Sequence, residues 1–559
     1  MKFSYLKPFL LALSLMLILN ACSSKNENGE TIVNIDTVST SWSNSFRAYR
    51  NNTSVVDKFA DLRIYQVMVE SFLNGDDSIN YDTGYGPSDH KGDLKGVIKA
   101  IPYIKSLGMN AIWLTPIFES AKIDEKPSML DATGYYTRNY YKVDRRFGDE
   151  NVLKELVETA HKNGLYVFLD GVFGHFRDDL ENTSPNHNQV TITKKCIGSN
   201  LQPYTPPVNT SCANFDDNGK SLDYMIEVAT YYVTNYKIDG WRLDQAYQVP
   251  LDGLRKIKKA VEIASKNVTY QDGSGATVHP LAYIVAEIWS DNRTIASRAY
   301  GNTDNPALDS AFDFGMRYPI VQTFAVEEWM KKDHSGTRLL EGLKYNENNL
   351  PKHALPNLMI TNHDLVRFGD LIQRAGENDT YYQRIKLALS YLAIAHSGPI
   401  TNYYGEEIAQ NVPGFDKRVN KMGYYDDHVA RDNGKIDNFT KDENQIKELF
   451  TYLMKLRSEH GSLSNGRMDL LKVTRSIFSC KKSFKGDDDF YYFINLSNEP
   501  MQITISKDVL NGDDNLVALI NNQCKLATKN QDGSISFSLA PLSFELLQNK
   551  SSKEVRCFR

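Results

Sequence analysis

From about residue 60 to residue 410 the chain repeats a single pattern, and that repetition restricts the fold more than any other feature of the sequence. Short apolar runs recur at Ile64–Val69, Ala111–Pro116, Tyr166–Asp170, Ile238–Asp244, Ala282–Trp289, Leu358–His363 and Ile400–Gly405. Several are separated by stretches with the periodicity of a half-buried helix, at Leu94–Leu107, Val152–Lys162, Tyr224–Tyr236 and Leu254–Ser265. Strands alternating with amphipathic helices predict βα units and a parallel sheet. Seven such runs, with the stretch Leu308–Met316 as an eighth, favour an α/β fold closed into a (β/α)8 TIM barrel over an open sheet.

The rhythm breaks twice. Residues 176–220 carry many Asn, Pro and Thr without a pattern; this is long for a βα loop and predicts a small inserted subdomain after strand 3. Beyond 468 the texture becomes short strands separated by Asn, Gly and Asp turns, at Phe490–Leu496, Met501–Ile505, Leu516–Ile520 and Ser534–Leu539. That predicts a C-terminal antiparallel β-sandwich over 468–559, after a barrel domain over 59–467.

At the N-terminus, Lys2 and Lys7 precede an apolar run from Phe9 to Leu19, followed by Asn20-Ala21-Cys22. A positive start, a short apolar segment and a small residue before the cut describe an export signal over 1–21, too short to span a bilayer comfortably. Leu19-Asn-Ala-Cys22 resembles a bacterial lipobox, in which Cys22 becomes the lipidated first residue. The expectation is an exported lipoprotein of the cell envelope, held to a membrane by a lipid anchor at Cys22. Residues 22–58, rich in Ser, Asn, Thr and Glu, read as a flexible tether. Export permits disulfides: Cys196 and Cys212 are a plausible loop staple, while the pairing of Cys480, Cys524 and Cys557 stays open. A formal charge of −5 without a basic stripe argues against nucleic acid as partner.

Four of the apolar runs end in ionisable residues: Asp170-Gly-Val-Phe-Gly-His175, Arg242-Leu-Asp244, Glu287 and Asn362-His363-Asp364. In a βα barrel the C-terminal strand ends converge on one face, so these groups would share one cavity. Any one of them alone reads better as a turn or helix-cap residue; four together do not. Breaking a glycosidic bond requires an acid for the leaving oxygen and a carboxylate at the anomeric carbon. Arg242 and Asp244, two apart in a strand, point to the same face, which makes Asp244 the candidate nucleophile. Glu287, among apolar neighbours in Val-Ala-Glu-Ile-Trp, is the better proton donor, because an apolar setting raises a carboxyl pKa.

These segments, in this order, resemble the short motifs of the α-amylase superfamily, glycoside hydrolase family 13. Gly92-Asp-Leu94, Trp113-Leu-Thr-Pro-Ile-Phe-Glu119, Gly134-Tyr135 and Tyr403-Tyr-Gly-Glu-Glu407 add to the likeness. The resemblance implies a retaining enzyme of α-glucans or maltooligosaccharides. In it Asp244 is the nucleophile, Glu287 the acid/base and Asp364 the third carboxylate. It also implies that Asp170, His175, Arg242 and His363 complete the cleavage subsite, with Tyr135 as its stacking platform.

The sequence departs from the family pattern at Gly174, where an Asn calcium ligand is common; glycine offers a hard cation no side-chain oxygen, so that site is expected to be absent. Another calcium site is conceivable at Asn74, Asp76, Asn80 and Asp93, which resemble a first-loop site of neopullulanase-like members; a solvated polar turn is the equal alternative. The chemistry itself requires no cofactor. The leading reading is α-1,4 hydrolysis. The nearby alternative is an α-1,6-cleaving, neopullulanase-like or transglycosylating enzyme, and the remote one a glycan-binding protein without activity, against which all three carboxylates stand.

Overall fold

A computed structural model describes residues 25–38, 57–206, 208–415, 426–513, 515–521, 524–549 and 555–558. The signal segment and the lipidation site read at Cys22 lie outside the described residues. Eight parallel strands form the centre: Arg63–Val67, Ala111–Leu114, Tyr166–Gly171, Gly240–Leu243, Tyr283–Ala286, Ser310–Ala311, Leu358–Met359 and Ile400–Tyr403, called barrel strands 1 to 8. Their order is 6-5-4-3-2-1-8-7, and a parallel bridge between Phe312 and Asn357 joins strand 6 to strand 7 and closes the barrel.

Strands 2, 4, 5 and 8 are buried along their whole length, as expected for a sheet covered on both faces. The surrounding helices are held by their apolar stripes. Helix Glu150–Lys162 starts where the Asp149 carboxylate accepts the backbone N–H groups of Asn151 and Val152, and it buries Leu153, Leu156, Val157 and Ala160. Each buried Leu or Val among them stabilises by ~1.5–3 kcal/mol. Strand 6 is shorter than the run Leu308–Met316, because the Asp313 side chain accepts from Met316 N and starts a helix at Phe314.

The insertion after strand 3 contains a three-stranded antiparallel sheet of His175–Arg177, Ile192–Thr193 and Thr210–Ala213, stapled by a Cys196–Cys212 disulfide. Cys524 pairs with Cys557, and Cys480 is a buried free thiol.

The C-terminal region is two sheets. The inner one, of six strands, packs on the barrel: Phe478, Tyr492 and Phe544 share one core with the barrel helices, and the Ser390 and Tyr492 hydroxyls bond at 2.6 Å. The outer one has four strands, and its edge differs from expectation. Thr31–Ile35, inside the stretch read as tether, pairs in parallel with Met501–Ile505 over five residues. The reason is local. The segment Thr-Ile-Val-Asn-Ile is rich in β-branched residues, it buries Ile35 between the two sheets, and it covers backbone groups of what would otherwise be an open sheet edge.

Candidate active site

The site is built by register. Arg242 on strand 4 stands opposite Asp170 on strand 3 and Val285 on strand 5. The ladder continues one step past the strands, with Asp244 N donating to Gly171 O at 3.1 Å and Glu287 N to Leu243 O at 2.8 Å, so three carboxyl-bearing positions leave the barrel side by side. After Asp244 the chain turns left-handed at Gln245, at φ 39°, a conformation that costs a non-glycine residue about 1 kcal/mol or more. That turn aims the Gln245 N–H at Glu287 Oε2, 3.0 Å away.

Arg242 is the hub. Its Nη1 donates to both oxygens of Asp170, at 2.8 and 3.0 Å, and to Asp244 Oδ1 at 2.8 Å, while Nη2 lies 3.7 Å from Glu287 Oε2. Asp244 Oδ2 has no hydrogen-bond partner, and His175 Nε2 lies 4.0 Å from it. Asp244 thus offers one gripped oxygen and one bare oxygen.

The carboxyl groups differ in electrostatics for physical reasons. Burial pushes Glu287 up to about 7, against the pull of Arg242 and with help from the charges of Asp244 and Asp364. Burial likewise raises Asp170. Burial works against the charge of Asp364 too, but His363 and Arg431 outweigh it and hold this group below the usual range. Arg431 Nη2 donates to Asp364 Oδ1 at 2.8 Å, and His363 Nε2 lies 3.0 Å from Oδ2.

Tyr135 ties the two halves together. Its ring stacks on His363, with centroids 5.3 Å apart and planes 6° from parallel, and its hydroxyl donates to Asp170 Oδ2 at 2.8 Å. Gly134 must precede it: the backbone there has φ 79°, and a Cβ would lie 2.2 Å from Pro116 O.

Tyr135, His175, Asp244, Glu287 and Asp364 line one cavity of about 610 Å3, within the range of small-molecule sites. Asp170, Arg242 and His363 lie beneath it, fully buried. The structure therefore brings together all eight residues singled out as catalytic or substrate-binding. It adds others that strand-end reasoning missed. Arg431 comes from the loop after strand 8, where no apolar run announces it. Trp289, two residues past Glu287 on the same run, and Tyr318 and Trp329, on other segments, also line the cavity. Trp289 and Trp329 are large aromatics left 40% and 69% exposed, and exposure of that kind is the informative signal. Trp289 is held by stacking on Phe314 and by donating to the Tyr318 hydroxyl at 2.8 Å.

The residues read as a first-loop calcium site do not fit one. Asp93 Oδ2 accepts the N–H groups of Gly75 and Asp76, and its Oδ1 caps a helix through Gly96 N. Asp76 is paired with Lys95 at 2.6 Å and with Ser78, and Asn74 donates to Asp77. The oxygens of Asp76 and Asp93 are thus committed to a turn, a helix cap and a lysine. Among the described residues no group of three or more His, Cys, Asp or Glu side chains is arranged to hold a metal ion. At Gly174 the side chain of Gln248 fills the space an Asn would need: a Cβ there would lie 2.0 Å from Gln248 Oε1, which itself lies 3.0 Å from His175 Nδ1.

A closed (β/α)8 barrel whose strand ends gather an acid with a raised pKa, a bare carboxylate oxygen and a shared arginine in one sugar-sized hollow is the frame of a glycoside hydrolase. The family model for the α-amylase catalytic domain matches residues 66–195 and 215–462, and the chain belongs to that family. It is 28% identical over 483 residues to a cyclomaltodextrinase of Thermoanaerobacter pseudethanolicus, covering 82% of this chain and 74% of that protein. It is 27% identical over 374 residues to neopullulanase 2 of Thermoactinomyces vulgaris, covering 62% and 56%. Among solved structures, AmyP in complex with maltose superposes with a TM-score of 0.80 at 42% identity, covering 89% of this chain and 98% of that one.

Proposed function

We propose that this α-amylase-family enzyme hydrolyses α-1,4-glucosidic bonds of starch-type glucans or maltooligosaccharides with retention. Asp244 Oδ2 attacks the anomeric carbon while Glu287 protonates the leaving oxygen. A covalent glycosyl-enzyme forms, and Glu287, now a base, draws the proton from the water that releases it. Asp364, kept charged by Arg431, holds hydroxyls of the distorted sugar, with His175 and His363 beside it and Tyr135 beneath. The observation that carries this reading is the split within one cavity: an Asp244 oxygen left bare while Arg242 grips the other, and a Glu287 that burial keeps protonated to about pH 7.

A second reading has its own support. The names of the relatives, cyclomaltodextrinase, neopullulanase and maltogenic α-amylase, favour a neopullulanase-like enzyme that also cleaves α-1,6 bonds or transfers glycosyl units. Both readings use the same three carboxylates and differ in what the leaving side admits. Product analysis on maltoheptaose, pullulan and isomaltose separates them. Maltose and maltotriose from maltoheptaose with the other two untouched is the outcome for α-1,4 hydrolysis. Maltotriose from pullulan, glucose from isomaltose, or products longer than the substrate is the outcome for the second reading, whereas panose from pullulan would still report α-1,4 cleavage. We also propose that Cys22 is acylated and holds the enzyme at a membrane, on the strength of the charge, apolar run and Leu-Asn-Ala-Cys that precede it.

A further inference from the structure

The N-terminal strand fixes where the leading segment leaves the folded body. Lys25 bridges Thr31 across a tight turn, and the Asn26 side-chain oxygen accepts the N–H groups of Asn28 and Glu30 at 3.0 and 2.9 Å. Asn26 Nδ2 also donates to Gln502 at 3.2 Å, and Lys25 Nζ meets Glu499 at 2.6 Å. That exposed ion pair contributes little. The strand itself holds the segment in place, its five residues paired to Met501–Ile505 with Ile35 1% exposed between the sheets. Cys22 stands three residues before Lys25, a distance the chain covers in at most about 10 Å.

We propose that the C-terminal sandwich is the membrane-facing foot of the enzyme, resting on phospholipid headgroups by the end where the N-terminal strand begins. The strand registers define that end. Thr31 pairs with Met501, Met501 with Leu539, Asn495 with Ser543 and Ile477 with Asn495, so the turns at 25–30, 474–476, 496–500 and 540–542 lie together. Their exposed residues include Glu27, Asn28, Arg475 and Glu499, a polar and charge-mixed surface that suits headgroup contact rather than insertion; the acyl chains supply the affinity. The turn at 474–476 also touches the barrel, with Gly336 N donating to Arg475 O at 3.0 Å and Arg475 lying 3.6 Å from Asp333. The foot therefore adjoins the segment from which Trp329 reaches the cavity. A 22–58 tether would let the enzyme roam about the anchor; a strand fixed at 31–35 holds it at a set distance and attitude.

This inference rests on acylation of Cys22. The test uses the full-length acylated protein on phosphatidylcholine–phosphatidylglycerol vesicles carrying a headgroup nitroxide. A fluorophore is placed either at Ala540→Cys, at the foot, or at Lys485→Cys, exposed on the opposite end of the same sandwich. Quenching at least several-fold stronger at 540 than at 485 is expected. An insertion of twenty Gly/Ser residues between Ser24 and Lys25, which leaves every pairing of the strand in place, is expected to abolish that difference. Protein that floats with the vesicles yet is quenched equally at both positions, or whose difference survives the insertion, overturns the orientation alone. Protein that fails to float overturns the acylation reading and the orientation with it.

Discussion

Arg242 and Arg367 are both buried near the strand ends of this barrel, each among carboxylates, and of these two only Arg242 belongs to the site. Arg242 holds Asp170 and Asp244 and faces Glu287. Arg367 donates to Asp432 from Nε at 2.7 Å and to Tyr404 O, lies 3.6 Å from Glu406 and covers the rings of Tyr403 and Tyr404. Burial raises the acids of both clusters: Glu287 to about 7 in the first, Glu406 to about 8 and Asp370 to about 7 in the second. A raised pKa therefore does not mark the active site by itself. What separates the clusters is access. Asp244 and Glu287 line the cavity, whereas Arg367, Asp370, Glu406, Glu407 and Asp432 do not. Glu407 spends its oxygens on Tyr65, Tyr103, Asn402 and Gly405 N. The second cluster cements the loop after strand 8; the first leaves an oxygen bare where a sugar can reach it.

The two clusters should differ most sharply at Asp244. Asp244→Asn is expected to lower kcat by on the order of 10^4-fold or more, while Glu406→Gln, equally buried, changes it by no more than a few-fold. Steady-state hydrolysis of maltoheptaose reads both, and comparable losses would erase the distinction between the clusters. Glu287→Gln should cost about 10²–10⁴-fold on an alkyl glucoside and far less on a substrate whose leaving group needs no proton.

Stability should run the opposite way. Arg367→Met strands Asp432 without its cation, and thermal unfolding should report a loss of about 3–5 kcal/mol. The raised pKa of Glu287 also carries a sign that can be checked. Glu287 moves from 4.5 to about 7, so the folded state keeps a proton that the unfolded chain has released. Its stabilising contribution is fully present below about pH 4.5 and is lost as the pH rises through about 7. Glu287→Gln should therefore raise Tm more at pH 8 than at pH 5, and the alkaline limb of kcat/KM, near pH 7 in the wild type, should belong to this group. A Tm gain independent of pH would separate Glu287 from that titration. The smallest effect is expected at Trp329→Ala, a several-fold rise in KM for maltoheptaose with kcat on maltotriose unchanged, measured by initial rates.

The same contrast explains how much of this was legible in the sequence. Asp170, Asp244, Glu287 and Asp364 could be read because each closes an apolar run, and a barrel turns linear strand ends into neighbours. Arg431 and Trp329 could not, since they sit on loops whose path no periodicity dictates. Strand 6 was blurred because only Ser310–Ala311 is extended before Asp313 caps a helix. The N-terminal strand was hidden because its five residues lie in a polar stretch and gain their stability from a partner almost five hundred residues away. Asp93 resembled a metal ligand because a helix cap and a cation site favour the same side chain.

The proposed mechanism has Asp244, and no other carboxylate of either cluster, bond to the sugar. It is tested most directly by incubating the enzyme with a fluorinated α-glucosyl fluoride that slows release of the intermediate, then locating the added mass by peptide analysis. A single glycosyl adduct on the peptide containing Asp244, absent from Asp244→Asn, is the result expected. An adduct on Glu287 or Asp364, or turnover with an inverted product anomer and no adduct, would contradict it.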